Sequence, residues 1–394
     1  MQINRHPTRR QWLCGSAAAV AGGLSFGRAG SLFAAPPAPA GVVSIAKCPS
    51  YDENLVAELG AMFDQIGGIA TLVGGKTVTI KLNLTGSPSL RYGAYAPGVT
   101  HYVHPKLVGA CCHLLGRAGA RRIRLVESCW ASADALEEYM LDAGWNLKAL
   151  ESAAPLVEFE NTNALGQGKR YSRLKVPHGG YMYPAFDLNH AYEDTDVFMT
   201  MAKLKNHATC GVTLSLKNSF GTSPASIYGD DAGSEEPNES PRSGRGLVFH
   251  NGKRGPARCS PQELHPDTPR HGGYRVPRIV VDLVAARPID LQIIDGIESV
   301  VGGEGPWIRG SKYVRPGVLI VGANPVSTDA VGAAVMGYDP RADRGTPPFR
   351  DCDNTMKLAE AVGIGTTDLA RIDVRGVSIK DALCDYEAHW RGKA

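Results

Sequence analysis

The chain has 394 residues with 42 basic and 39 acidic side chains, a formal net charge of +3. All four basic residues of the first 40, Arg5, Arg9, Arg10 and Arg28, come without a single acid, so the remainder carries 38 basic against 39 acidic residues and a net charge of −1. That balance has no clustered basic excess and excludes a nucleic-acid footprint, while 43% hydrophobic residues over this length suffice for a large core and exclude a disordered chain.

The N-terminus reads as an export signal. Thr8-Arg9-Arg10-Gln11-Trp12-Leu13 places two arginines before a weakly apolar run from Leu13 to Phe26. That run is too short to span a bilayer, which takes about 20 apolar residues. It fits the apolar region of a twin-arginine signal, with Ala38-Pro39-Ala40 as the cleavage site. The expectation is a protein handled by the twin-arginine export machinery, residues 1–40 being the signal. The mature chain would be periplasmic or otherwise exported, with no stable membrane anchor after cleavage. Eight of the nine cysteines lie beyond residue 40. None forms C-x-x-C or a zinc or iron–sulfur spacing, so no metal residues are assigned.

Beyond residue 40, short β-rich runs alternate with helical patterns. Val42–Lys47 reads as a strand, Glu53–Ile66 as a helix and Thr77–Leu84 as a strand. Pro105–Ala118 is a helix with proline in its first turn and Gly119 after it. Ile123–Glu127 is a strand and Ala133–Ala143 a helix. Asp196–Leu204, Ile279–Ala285, Leu291–Ile294 and Val318–Val321 are apolar strand candidates. Ser327–Met336 is a helix carrying Asp329 in its first turn, and Arg371–Val374 is a late strand. Apolar strands alternating with helices predict an α/β fold, a mostly parallel sheet with helices on both faces, in one domain (41–394) or two lobes. The segment Tyr228–Arg275 breaks the rhythm. It is rich in Gly, Pro and Ser, far longer than an ordinary connection, and reads as a surface excursion or a lid. His250, His265 and His271 within it are expected to face solvent.

Three constellations carry chemistry. Lys81 and Asn83 sit two apart at a strand's C-terminal end, where open α/β sheets bind ligands. A lysine there needs an anion or a partner carboxylate. Lys203, Lys205 and His207 share one face if their strand persists. The segment Gly211–Gly221, containing Lys217 and Asn218, suits a short helix whose N-terminus offers backbone N–H groups to an anion. Asp295 ends a strand and Glu304 lies in a Gly-rich turn; either could bind a metal, act as a base or neutralise the lysines. No Walker A loop, dinucleotide fingerprint or nucleophile elbow is present.

Lys81-Leu82-Asn83, His104-Pro105, Lys203-x-Lys205-x-His207 with Gly211–Gly221, Asp295-Gly296-Ile297, Gly303-Glu304-Gly305-Pro306 and Val321–Pro340 together resemble the Domain of Unknown Function 362 family, over about residues 75–365. The resemblance implies a fold and a site rather than a reaction, and adds His104 to the candidates. Some members carry ferredoxin-type iron–sulfur cysteines, which this sequence lacks. It departs from the family further by separating Thr100-His101 from His104-Pro105 and by having Glu127-Ser128 where Asp-Ser is usual. The expected ligand site is Lys81, Asn83, His104, Lys203, Lys205, His207, Lys217, Asn218, Asp295 and Glu304. It would take an anionic small molecule bearing phosphate or carboxylate, either as an enzyme or as a non-catalytic binding or assembly factor for a cofactor or redox partner. No cofactor is named.

Overall fold

The computed structural model describes residues 37–392. The arginine pair and the apolar run behind it lie outside the described residues. Residues 37–40, including the expected cleavage site, have no regular secondary structure and are largely exposed.

The described chain is one compact unit built on one eight-stranded sheet rather than two lobes. Its strands are β1 (Val42–Lys47), β2 (Thr77–Lys81), β3 (Arg122–Glu127), β4 (Val157–Asn161), β5 (Val197–Lys203), β6 (Leu291–Gly296), β7 (Val318–Gly322) and β8 (Asp373–Gly376), in the order β8-β1-β7-β6-β5-β2-β3-β4. β7 runs antiparallel to both its neighbours; every other pairing is parallel. Strand β4 escapes sequence reading because its glutamates, Glu158 and Glu160, hide the apolar run at an edge position.

Side chains alternate between two apolar layers. On one face Val78, Ile80, Val197, Met199 and Met201 pack under α1 (Leu55–Gln65), α2 (Pro105–Arg117) and α3 (Leu136–Asp142). Asn54 and His104 cap the first two of these helices with side-chain acceptors. On the other face Phe198, Ile294 and Ile320 meet α4 (Leu214–Asn218), α5 (Gly272–Ala286), α6 (Pro325–Val335) and α7 (Thr355–Ala361).

Helix α5 corrects the strand expected at Ile279–Ala285. A short, mostly apolar run such as Ile279–Ala285 cannot be assigned to a buried helix or a buried strand by periodicity alone. Its polar groups are matched by loops: Asp282 accepts from the N–H groups of Tyr181, Met182 and Tyr183 at 2.7, 2.7 and 3.1 Å, and Arg275 pairs with Glu263 at 2.8 Å. Glu263 belongs to the long insert. Tyr228, Val248 and Phe249 of the same insert are fully buried in the core, so the insert is packed as a wall.

Candidate functional site

The C-terminal ends of β2, β3 and β5 open into a cavity of about 420 Å³. Its walls come from the β2 end (Lys81, Asn83), the β3 end (Glu127, Ser128, Trp130), the turn after β5 (Lys205, His207), Thr213 to Gly221, the insert (Gly244, Arg245, His250) and the Gly-rich turn (Glu304, Trp307). Of the ten residues expected from sequence, Lys81, Asn83, Lys205, His207, Lys217, Asn218 and Glu304 line it. His104, Lys203 and Asp295 do not.

Those three form a separate network under the start of α2. Strand β5 ends at Lys203, so the face shared by Lys203, Lys205 and His207 does not exist. The register sets Lys203 beside Asp295 on adjacent strands. Lys203 Nζ donates to Asp295 Oδ2 at 3.0 Å, to Tyr51 Oη at 2.7 Å and to the Gly98 carbonyl at 3.0 Å, which uses all three of its protons. Asp295 also accepts from Tyr51 Oη at 2.7 Å and from the His104 backbone N–H at 3.0 Å. Both charged side chains are wholly buried. The His104 ring stacks on Tyr51, centroids 3.7 Å apart.

In the cavity, Lys81 is compensated. Its Nζ lies 2.5 Å from Glu127 Oε1 and donates to the Leu82 carbonyl at 2.7 Å and to Asn218 Oδ1 at 3.4 Å. Glu127 accepts in addition from the Leu84 and Ser128 N–H groups at 2.7 and 2.9 Å. Gly221 lies against this pair, where a Cβ would stand 2.8 Å from Lys81 Nζ, so the close approach requires glycine. Asn218 Nδ2 donates to Thr200 Oγ1 at 2.6 Å.

The other cations have no acid at ion-pair distance among the described residues, although Glu304 acts on Lys205 and Lys217, and Glu127 on Arg245, from further off. Lys205 is fully buried, and its Nζ donates only to the His101 carbonyl, at 2.5 Å; burial holds its pKa well below the ordinary lysine range, with Lys203 and Lys217 adding to the effect. Among the described residues Lys217 Nζ has no hydrogen-bond or ion-pair partner and rests 4.2 Å over the Phe220 ring. Burial lowers its pKa too. Arg245 is held by Ser128 Oγ, Asn163 Oδ1 and the Ser223 carbonyl, and burial brings it down to about 10.

His207 Nδ1 accepts from the Thr209 N–H at 3.0 Å, which leaves the proton of the neutral ring on Nε2. Burial pushes its pKa down to about 3. His250, expected at the surface, lines the cavity, and burial lowers it to about 4. His265 and His271 are exposed. Burial opposes the charge on Glu304, but the neighbouring His207 and the N–H groups of Ala208 and Trp307 bring its pKa down to about 2. Thr213, buried and lining the cavity, has an Oγ1 with no partner among the described residues.

The helix start expected to receive an anion is already occupied. The Ser215 and Leu216 N–H groups of α4 each donate to the Asp329 carboxylate at 2.8 Å. Asp329 sits in α6 but reaches across to cap α4, and burial lifts its pKa to about 7 against those two bonds. Sequence reasoning missed Arg245, Glu127, Thr213 and the two tryptophans as wall residues. Only Glu127-Ser128 gave a signal, as a departure at a strand end; Arg245 and His250 sit in a segment with no periodicity. Among the described residues no group of three or more His, Cys, Asp or Glu is placed to hold a metal ion, and the eight cysteines beyond residue 40 are free thiols. No helix there is long and apolar enough to cross a membrane.

Fold and site define an α/β protein with a partly enclosed cationic cavity at the carboxyl ends of a mostly parallel sheet, where such sheets carry their ligands. Residues 78–334 match the family described as "Domain of unknown function (DUF362)", and the chain belongs to that family. It is also 27% identical over 190 residues to Thylakoid-associated protein sll1697 of Synechocystis sp. (strain ATCC 27184 / PCC 6803 / Kazusa). That match covers 47% of this chain and 51% of the relative, so the chain spans about half of that protein's length.

Proposed function

We propose that the cavity binds an anionic small molecule through phosphate or carboxylate oxygens. The observation that carries the reading is Lys217 Nζ, at a cavity wall with no ion-pair or hydrogen-bond partner among the described residues. Lys205 and Arg245 stand at the same wall without a carboxylate, and Thr213 Oγ1 adds an unused donor. Cations drawn out of water without a paired counter-charge are costly, and an anion among them would offset that cost. Calorimetric titration with inorganic phosphate tests this. Binding to the native chain and at least tenfold weaker binding to Lys217→Met is the expected result; no binding at millimolar phosphate, pyrophosphate or acetate refutes it.

We propose further that the protein works outside the cytoplasm, on the strength of the Arg9-Arg10 pair and the apolar run behind it. Fractionation of cells expressing the native chain and the Arg9→Lys, Arg10→Lys variant tests this. The variant should stay in the cytoplasm; equal export of both refutes the signal.

A further inference from the structure

The cavity holds more than an anion site. Among the described residues the two tryptophans most open to solvent are Trp130, 50% exposed, and Trp307, 41% exposed, and both line this cavity, as does Leu90 at 37%. Large apolar side chains left exposed around a concave polar site mark a binding surface rather than a packing remainder.

Trp307 is seated, not loose. Its indole lies against Gly86 and Gly305, where a Cβ would stand 2.3 Å and 2.2 Å from ring carbons, so neither position admits a side chain without moving the ring. Gly86 has φ +81°, a further bar to substitution. The Gly86 carbonyl in turn accepts from Tyr102 Oη at 2.5 Å and from Tyr139 Oη. Trp307 Nε1 donates to Glu304 Oε1 at 3.2 Å, which fixes the ring plane. Deeper in, Phe220 carries Lys217 on its face. The cavity therefore has aromatic walls at its mouth and unpaired cations below them.

A volume of about 420 Å³ lies within the range of sites for organic ligands, roughly 300–1,000 Å³, and is far larger than a phosphate ion needs. We infer that the ligand is a ring-bearing anion: a planar, mostly apolar ring between Trp130 and Trp307, with a phosphate or carboxylate group directed to Lys217 and Arg245. This rests on the anion reading above and specifies its substrate class.

The test compares four anionic probes, with phenol as the uncharged control, by calorimetry on the full chain: inorganic phosphate, phenyl phosphate, acetate and benzoate. Phenyl phosphate should bind about tenfold or more tightly than inorganic phosphate, as aromatic stacking plus burial of a ring provides. Benzoate should exceed acetate likewise if the head group is a carboxylate, and the stronger of the two ring compounds identifies the source. Trp130→Ala and Trp307→Ala should each cut the ring advantage, the ratio of phenyl phosphate to inorganic phosphate affinity, to threefold or less while inorganic phosphate still binds. Lys217→Met should weaken the anions with and without rings alike. Equal affinity for phenyl phosphate and inorganic phosphate, or a ring advantage that survives both tryptophan variants, overturns the ring assignment and leaves the anion reading standing. Failure of all four probes, or binding of phenol as tight as phenyl phosphate, overturns both.

Discussion

Removing both members of the Lys203–Asp295 pair should cost clearly less than the sum of the two single losses. Lys203 spends all three protons inside the network, on Asp295, Tyr51 and Gly98, and neither charged side chain reaches solvent. In Asp295→Asn the ammonium keeps two neutral acceptors and loses its counter-charge; Tyr51 and the His104 N–H face a weaker acceptor as well. A buried pair broken on one side loses about 3–5 kcal/mol. Lys203→Met leaves a buried carboxylate with Tyr51 and the His104 and Ile297 N–H groups, three donors that keep part of its solvation, so its loss falls toward the lower end of that range. The double variant, neutral throughout, should recover about 2 kcal/mol or more of the summed losses, since contacting residues couple strongly. Urea unfolding at pH 7.5, followed by tryptophan fluorescence, reads all four proteins. A loss under about 1 kcal/mol in Asp295→Asn, or strict additivity in the double, would refute the structural role and return both residues to the ligand site.

Two further expectations concern stability. Asp329→Ala strands the buried Ser215 and Leu216 N–H groups at the start of α4, beside Leu214 at φ +43°. At about 1–3 kcal/mol per orphaned donor the loss should be roughly 2–6 kcal/mol, measurable by the same unfolding assay; a neutral result would mean that α4 is capped by other groups. The second is acid sensitivity. Burial depresses His101, His104, His207 and His250 to about 2, 4, 3 and 4, against an ordinary value of 6.5. With the folded values lowered, the unfolded chain takes up protons first. Stability is therefore full above about pH 6.5 and falls as pH drops toward the folded values. Each histidine contributes up to about 1.4 kcal/mol per pH unit, so lowering pH from 7.5 to 5.5 should cost roughly 5 kcal/mol through the four of them, offset in part by Asp329, whose raised pKa of about 7 adds stability over the same range. Glu304, lowered to about 2, adds a loss only below the ordinary carboxylate range. Unchanged urea midpoints between pH 7.5 and 5.5 would contradict the buried, neutral histidines.

The sequence by itself determined the alternation of strands and helices, the parallel character of most of the sheet, and the placement of Lys81, Asn83, Lys217 and Asn218 at one end of it. Those features follow from local rules: apolar runs, glycine and proline at helix ends, and the strand-end location of ligands in open sheets. The tertiary structure decided which charges meet. Spacing put Lys203, Lys205 and His207 on one face. The chain instead leaves the sheet at Lys203, and register across two strands joined by nearly a hundred residues sets that lysine against Asp295, a relation no local pattern encodes. The α4 N–H groups looked free because the acceptor that fills them, Asp329, lies 113 or more residues away. Ile279–Ala285 lies in a helix packed against both the sheet face and the insert, so its apolar run is buried without being a strand. The cavity's cationic excess is likewise a tertiary result. Lys81 meets Glu127, and packing brings Lys205, Lys217 and Arg245 to the same wall, none of them in an ion pair among the described residues.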